Sequence, residues 1–324
     1  MSRMRERMLA EGPLERVIGA FRGAEPGPSL LIVAGIHGNE PAGVIAARRV
    51  VATLERERLP LRGDFAAFTG NIAALRVGVR GLRRDLNRGW TRDNLTALSP
   101  NGSTPPEDYE QRELFDAIEA ARHRARGPVT FLDLHSTSAP GSPFVMVRDI
   151  PEQRAFALLF HIPVIMGLLE LVDHTLLEYL RSEGCITLGI EAGQNDADSS
   201  VDHHEEALWI ALVGAGLLDP ASLPGLERSR QLLAAARGSR PHMTRVEHRH
   251  SIQPEDQFQM LGGFDNIQRV DSGELLAHDR NGEIRAPHPC VLLMPLYQSQ
   301  GDDGFFLGSE VLAPQGPSGQ RRAG

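Results

Sequence analysis

The stretch LLIVAGIHGNEPAGV, residues 30–44, decides the fold. Its first five residues form an unbroken apolar run, which is typical of a strand buried on both faces of a mixed or parallel sheet. Glycine and asparagine then permit a sharp bend, and Pro41 suits the start of a helix that residues 42–54 continue. His37 and Glu40 lie in this bend. Two metal-ligand residue types therefore follow a buried strand directly, where an open α/β sheet keeps its ligand site.

A second apolar run, VTFLDLHSTS at residues 129–138, carries His135 near its end. Mononuclear hydrolytic zinc takes three protein ligands and leaves one position open for water. His37, Glu40 and His135 supply a His, Glu, His set, and we expect them to bind one Zn²⁺ per chain. Taken alone, His37 and Glu40 are better explained as solvated residues of a loop. The second strand end is what favours zinc.

A third run, CITLGIE at residues 185–191, ends in Glu191. A carboxylate there is compatible with a fourth metal ligand, a structural acid paired with an arginine, or a general base. The base suits a zinc hydrolase best, because an activated water needs a group that takes its proton and passes it to the leaving nitrogen. His203 and His204, which precede an expected helix over residues 207–218, are predicted to be cap and surface residues.

The composition of the chain excludes several classes of function. Its 324 residues suffice for one large domain or two, and its net charge of −8 argues against a nucleic-acid-binding surface. Lysine is absent, so Schiff-base chemistry is excluded and every fixed cationic side chain is arginine. No apolar run approaches the roughly 18 residues that span a bilayer, and the amino terminus lacks a signal-peptide core. We expect a cytoplasmic protein without membrane partners.

The hydrophobic pattern changes at about residue 240. Before it, a polar lead-in over residues 1–28 precedes strands that alternate with helices, one of them predicted over residues 168–182. After it, short apolar runs separated by turns indicate a β-rich segment. We therefore expect an α/β fold with a mixed, mostly parallel sheet flanked by helices. The predicted division is a zinc-binding catalytic domain over residues 1–240, a small β domain over 241–316 and a disordered tail over 317–324.

Four motifs, in this order and at these spacings, resemble one known family: GIHGNE (35–40), RDLNR (84–88), DLHS (133–136) and GIEAG (189–193). They resemble the succinylglutamate desuccinylase and aspartoacylase family, which is similar in fold to the zinc carboxypeptidases. Residues 247–283 also look like the β domain of bacterial desuccinylases. The resemblance implies a zinc-dependent amidohydrolase. Such an enzyme removes a succinyl, acetyl or similar acyl group from a small N-acyl amino acid with metal-activated water.

The resemblance also implies roles for single residues. It makes the His, Glu, His set the zinc ligands and Glu191 the catalytic base. Arg80 would help to polarise the scissile carbonyl, and Asn87 and Arg88 would line the substrate site. Arg181 would bind a substrate carboxylate, for which an arginine fork offers two parallel hydrogen bonds.

One departure from the family pattern bears on specificity. Aspartoacylases have a tyrosine after a YPVF-like strand of the β domain, whereas PLYQSQGDDGFF, residues 295–306, places Asp302 and Asp303 there and Tyr297 out of register. Fewer donors for a second carboxylate favour substrates with a neutral or basic side chain over N-acetylaspartate.

Two alternative functions and a homo-oligomer are compatible with the sequence. A zinc metallocarboxypeptidase would need an open groove for peptides. A non-catalytic metal-binding homologue would retain the fold without the chemistry, and the presence of Glu191 disfavours that alternative.

Overall fold

A computed structural model describes residues 2–97 and 104–311 of the chain. In this part of the chain, 11 strands form one sheet and three others form a small antiparallel sheet. The strands are β1 (Val17–Arg22), β2 (Ser29–Ala34), β3 (Asp64–Thr69), β4 (Val129–Thr137), β5 (Phe144–Met146), β6 (Val164–Met166), β7 (Ile186–Gln194), β8 (Met243–Ser251), β9 (Gln259–Met260), β10 (Gln268–Val270), β11 (Leu275–Asp279), β12 (Gly282–Arg285), β13 (Cys290–Leu293) and β14 (Asp303–Glu310). The helices are α1 (Arg3–Ala10), α2 (Ala42–Glu57), α3 (Ile72–Val77), α4 (Arg92–Ala97), α5 (Pro106–Arg124), α6 (Pro151–Ala157), α7 (Leu176–Ser182), α8 (Asp198–Gly214) and α9 (Leu226–Arg237).

The centre of the large sheet is parallel. Strands β3, β2, β4 and β7 lie side by side in that order, and each pair runs in the same direction. Antiparallel pairs occur towards both edges, so the expected mixed sheet is confirmed. Because neighbouring parallel strands end at the same edge of a sheet, the carboxyl ends of β2, β4 and β7 lie next to one another.

Strand β2 is buried on both faces, as its unbroken apolar run predicts. Leu30 and Ile32 pack with residues of α2 and α8 on one face, whereas Leu31 and Val33 pack with residues of α5 on the other. Burying each such side chain contributes roughly 1.5–3 kcal/mol. Helices on both faces therefore hold the strand that leads into the GIHGNE bend.

The amino-terminal segment is more ordered than its polar composition predicts. Residues 1–28 are expected to be a lead-in, but α1 buries Met4 and Met8, and β1 pairs with β3 at the sheet edge. Along β1 the side chains are only half-buried or exposed. An edge strand of this kind carries a weak apolar pattern, which is why the sequence did not reveal it.

The helix predicted over residues 168–182 is too long. Helix α7 begins only at Leu176, after the Thr175 side chain accepts a hydrogen bond from the Glu178 backbone N–H. His174 just before this cap has a φ of 56°, a left-handed conformation that interrupts a helix. Residues 167–175 instead form turns.

The segment after residue 240 is rich in strands, as predicted. Three of its strands, β9, β11 and β12, form the small antiparallel sheet, whereas the others extend the large sheet. Strand β8 pairs in parallel with β6, and β14, β13 and β10 extend the same sheet further. The division into domains at residue 240 stays a prediction. The tail predicted over residues 317–324 lies outside the described residues. No described helix is long and apolar enough to cross a membrane.

Candidate active site

The bend after β2 holds His37 and Glu40 inside the protein, with 4% and 3% of their surfaces exposed. Tight packing of the loop against α3 explains this burial. A Cβ atom on Gly38 would lie 2.2 Å from the carbonyl carbon of Ala74, so only glycine fits at this position. The Gly38 N–H also donates to the Arg80 carbonyl oxygen at 3.1 Å, which attaches the bend to the segment that follows α3.

The structure brings His37, Glu40 and His135 together. Nδ1 of His37 lies 2.9 Å from Oε1 of Glu40, and Nδ1 of His135 lies 3.1 Å from Oε2. Each residue offers a possible ligand atom within 4.8 Å of the other two. The Ser136 N–H donates to Glu40 Oε2 at 3.1 Å and helps to orient this carboxylate.

The second ring nitrogen of each histidine lies beside an aspartate that the sequence analysis did not select. His37 Nε2 is 3.0 Å from Asp85 Oδ1, and His135 Nε2 is 3.0 Å from Asp133 Oδ2. Asp133 and His135 lie two residues apart on β4 and therefore project to the same face of the strand. This spacing is visible in the sequence and could have identified Asp133 as a partner of His135. Both imidazoles are thereby oriented with Nδ1 towards Glu40.

The charges of Glu40 and the two histidines stabilise one another. Burial by itself raises the pKa of Glu40, but the charges and hydrogen bonds of His37 and His135 outweigh burial and hold that pKa well below its ordinary value. Burial lowers the pKa of His135, yet the carboxylates of Asp133 and Glu40 outweigh it and raise the pKa well above the ordinary value. The site is therefore a buried position that favours positive charge.

Glu191 lies on β7, directly beside His135 of β4 in the parallel register. Its side chain is buried, with 3% of the residue exposed, and Oε2 has no hydrogen-bond partner among the described residues. Burial raises the pKa of Glu191 to about 7. A carboxyl group with such a pKa can both accept and release a proton near neutral pH.

His37, Glu40, His135 and Glu191 line a cleft of about 880 Å³, open solvent included, together with Arg80, Asn87 and Arg88. Arg80 has Nη1 3.6 Å from Glu40 Oε1 and donates from Nη2 to Asp85 Oδ2 at 2.8 Å. Asn87 accepts a hydrogen bond from the Leu176 N–H at 3.0 Å and so holds the start of α7 at the cleft.

Comparison with known proteins gives the family. The model of the succinylglutamate desuccinylase/aspartoacylase catalytic domain matches residues 26–207, more than half of the chain. The chain belongs to this family. The matched range includes both strand ends that carry the histidines, as well as Glu191.

Curated relatives in the succinylglutamate desuccinylase/aspartoacylase family are similar over part of their length. A succinylglutamate desuccinylase of Pseudomonas syringae pv. tomato is 38% identical over 85 residues, which are 26% of this chain and 25% of that protein. One of Burkholderia thailandensis is 30% identical over 149 residues, 46% of this chain and 41% of the relative. The chain thus matches less than half of the length of each relative.

A solved structure of the same family extends the similarity of fold to most of the chain. The succinylglutamate desuccinylase/aspartoacylase from Rhodobacter sphaeroides superposes with a TM-score of 0.65 at 16% identity, covering 90% of this chain and 88% of the other. This likeness includes strands beyond the segment that the family model matches.

Two residues singled out from the family pattern lie away from the cleft. Arg181 is not among the residues that line it; its Nη2 donates to Oε1 of Glu178, three residues earlier on α7, at 2.6 Å. Its substrate-binding role stays a prediction that these contacts do not support. The Tyr297 hydroxyl donates to the Leu261 carbonyl at 2.9 Å and accepts from the Phe264 N–H at 3.0 Å, so this tyrosine fastens a turn of the carboxyl-terminal segment.

His204 is also placed differently from the prediction. Helix α8 begins at Asp198, so both His203 and His204 lie within its first half. His204 is fully buried rather than at the surface, and burial lowers its pKa to about 3. His203 is half-buried, with Nδ1 2.7 Å from the Ala192 carbonyl oxygen.

Proposed function

We propose that this protein is a zinc-dependent amidohydrolase that removes an acyl group from N-acyl amino acids. The observation that supports it most is the arrangement of the two histidines. Each has Nδ1 beside Glu40 and Nε2 beside an aspartate. Histidines that bind metal usually donate their other ring N–H to a carboxylate or carbonyl, which fixes the tautomer and the ring orientation.

The donor set fits zinc. Zinc–nitrogen and zinc–oxygen bonds of about 2.1 Å in a tetrahedral site separate neighbouring donors by roughly 3.4 Å. The two Nδ1 atoms lie 2.9 and 3.1 Å from Oε1 and Oε2 of Glu40, and one ligand atom of each of the three residues lies within 4.8 Å of the others. His37, Glu40 and His135 would hold the ion. When bound, zinc supplies a Lewis acid that activates water and stabilises negative charge on the reacting oxygen.

The remaining steps fall to residues of the chain itself. Glu191 would take a proton from the attacking water and return it to the leaving nitrogen, which its unpartnered buried oxygen and raised pKa both suit. Arg80 would place positive charge near the oxyanion of the tetrahedral intermediate. Arg88, in the wall of the same cleft, would grip a substrate carboxylate with its planar fork.

The make-up of the cleft wall favours a deacylase over a peptidase. Leu296, Gly301 and Asp303 of the carboxyl-terminal segment line the cleft together with residues of the segment that the family model matches. A cleft enclosed by two segments of the chain suits a small acylated amino acid better than a peptide chain that must continue in both directions.

Metal analysis together with a hydrolysis screen tests the proposed function. We expect close to one zinc per chain and hydrolysis of at least one N-succinyl, N-acetyl or N-formyl amino acid. Chelation should abolish that hydrolysis, and added zinc should restore it. A metal-loaded protein that cleaves peptides but none of these amides would contradict the proposal.

Replacing Arg88 by lysine should weaken substrate binding although the positive charge remains. Lysine offers a point charge in place of a bidentate fork, so we expect KM for an N-acyl amino acid to rise roughly tenfold. Steady-state kinetics on the metal-loaded variant measures this change. The matched variant Arg112→Lys, on the exposed face of α5, should leave KM unchanged. An unaltered KM in Arg88→Lys would exclude the proposed bidentate binding of a substrate carboxylate by Arg88.

A further inference from the structure

The inner wall of the cleft is hydrocarbon. Six buried side chains from β5, the turns before α7, α7 itself and β14 line it, none more than 8% exposed: Met146, Leu168, Leu169, Val172, Leu177 and Phe306. A substrate group that enters this wall loses water and gains contacts only with apolar atoms. An uncharged hydrocarbon arm is therefore favoured there, whereas a charged arm would lose hydration without compensation.

The charged groups at the mouth are already paired. Arg88 has Nη2 3.7 Å from Asp302 and 3.8 Å from Asp303. Arg249 of β8 forms an ion pair with each of the same aspartates, and its Nη1 donates to the Leu171 carbonyl oxygen at 3.1 Å. Two arginines and two aspartates thus balance one another beside the hydrocarbon wall.

This balance leaves little positive charge for a second substrate carboxylate. Among the described residues of the cleft wall, the arginines are Arg80 and Arg88, and the chain contains no lysine. Arg80 is held by Asp85 and Glu40. The guanidinium group of Arg88 can bind one substrate carboxylate. A dicarboxylate would place its second charge against apolar side chains. The paired aspartates likewise offer no unbalanced negative charge for a basic arm.

We propose that the site prefers N-acyl amino acids with a single carboxylate and an uncharged hydrocarbon arm over dicarboxylate substrates. This inference rests on the deacylase function proposed above and names its substrate class. Arg88 holds the one carboxylate, and the wall formed by the six apolar side chains receives the arm. The arm belongs to either the acyl group or the amino acid side chain.

Initial rates on five substrates test this preference with the full-length, zinc-loaded protein. The panel is N-acetyl-L-leucine, N-hexanoylglycine, N-acetyl-L-arginine, N-acetyl-L-aspartate and N-succinyl-L-glutamate. We expect kcat/KM for at least one of the first two to exceed each of the other three by about tenfold or more, the scale of a hydrocarbon pocket's discrimination. The better of those two shows which side of the amide carries the arm.

The possible failures of this experiment are distinguishable. Hydrolysis that is fastest with the arginine, aspartate or glutamate compound overturns the inference and leaves the deacylase function standing. If none of the five compounds is cleaved but another amide of the hydrolysis screen is, the inference fails and the deacylase function stands. If the zinc-loaded protein cleaves no amide of either set, the proposed function fails and the inference fails with it.

Removing the negative charges at the mouth should shift the preference. In Asp302→Asn/Asp303→Asn, both arginines lose their ion pairs with these aspartates. We therefore expect kcat/KM for N-acetyl-L-aspartate relative to N-acetyl-L-leucine to rise about tenfold, as for a new hydrogen bond to a charged group. The Asp302 side chain is half-exposed, so the single variant Asp302→Asn should fold normally. It should shift the same ratio in the same direction. Asp271→Asn, an exposed control after β10, should leave the ratio unchanged. A folded double variant with the wild-type ratio would overturn the inference.

Discussion

Replacing Glu191 by glutamine is expected to lower kcat roughly 10³-fold while zinc stays bound, because general acid–base groups contribute about 10²–10⁴-fold. Glutamine retains the size and one oxygen of the side chain but cannot take up a proton. Glu191 lies beside His135, and its Oε2 has no hydrogen-bond partner among the described residues, so the substitution breaks no hydrogen bond at that oxygen. The measurement is kcat on the best substrate of the screen, with zinc content determined on the same sample.

A matched change elsewhere isolates this effect. Glu205→Gln on α8 removes a carboxylate that pairs with Arg49 outside the cleft, and kcat should stay within about twofold, as is usual for surface ion pairs. A Glu191→Gln protein with a full complement of zinc and wild-type kcat would refute the role of base.

Replacing His135 by alanine is expected to reduce bound zinc from near one per chain to near zero and to abolish hydrolysis. Two ligands remain in this variant, whereas catalytic zinc sites use three. Asp133→Asn should have a graded effect, since substituting a residue that orients a ligand typically lowers metal affinity or activity about 10–100-fold. Competition with a coloured chelator measures both affinities.

The control for this pair is His123→Ala, because His123 is exposed on α5, with 79% of its side chain accessible. It should bind zinc as tightly as the wild type. Wild-type zinc affinity in His135→Ala would contradict the proposed ligand set, and an unchanged Asp133→Asn would show that the aspartate does not orient the imidazole.

The sequence predicted best where a long buried run ends in a polar residue. The apolar runs before His37, His135 and Glu191 predict buried strands, and parallel pairing then brings their ends to one edge of the sheet. The local apolar pattern, together with the rule that parallel strands end at one edge of a sheet, is enough to predict that these three residues lie close together. Its catalytic meaning stays a prediction that the two variants above test.

Other parts of the molecule depend on contacts that no local pattern encodes. Arg249 reaches Asp303 from 54 residues away in sequence because β14 pairs with β8, and Asp303 also lies 3.8 Å from Arg88. Apolar residues continue through residues 168–182, and only the left-handed His174 and the Thr175 cap delay α7. The sequence thus predicted the main strands and placed Arg88, Asp302 and Asp303 at the site, but it did not predict the ion pairs that Arg249 forms with the two aspartates.

The pairing of β6 with β8 has a consequence for how substrates enter. Backbone hydrogen bonds join the strands that carry the proposed metal ligands to those that carry Asp303 and Phe306, without a gap in the ladder. A jaw-like opening between the two halves would have to break those bonds. The ladder therefore opposes a hinge between the two halves of the sheet, and any widening of the cleft falls to lining segments outside the strands, such as residues 167–175.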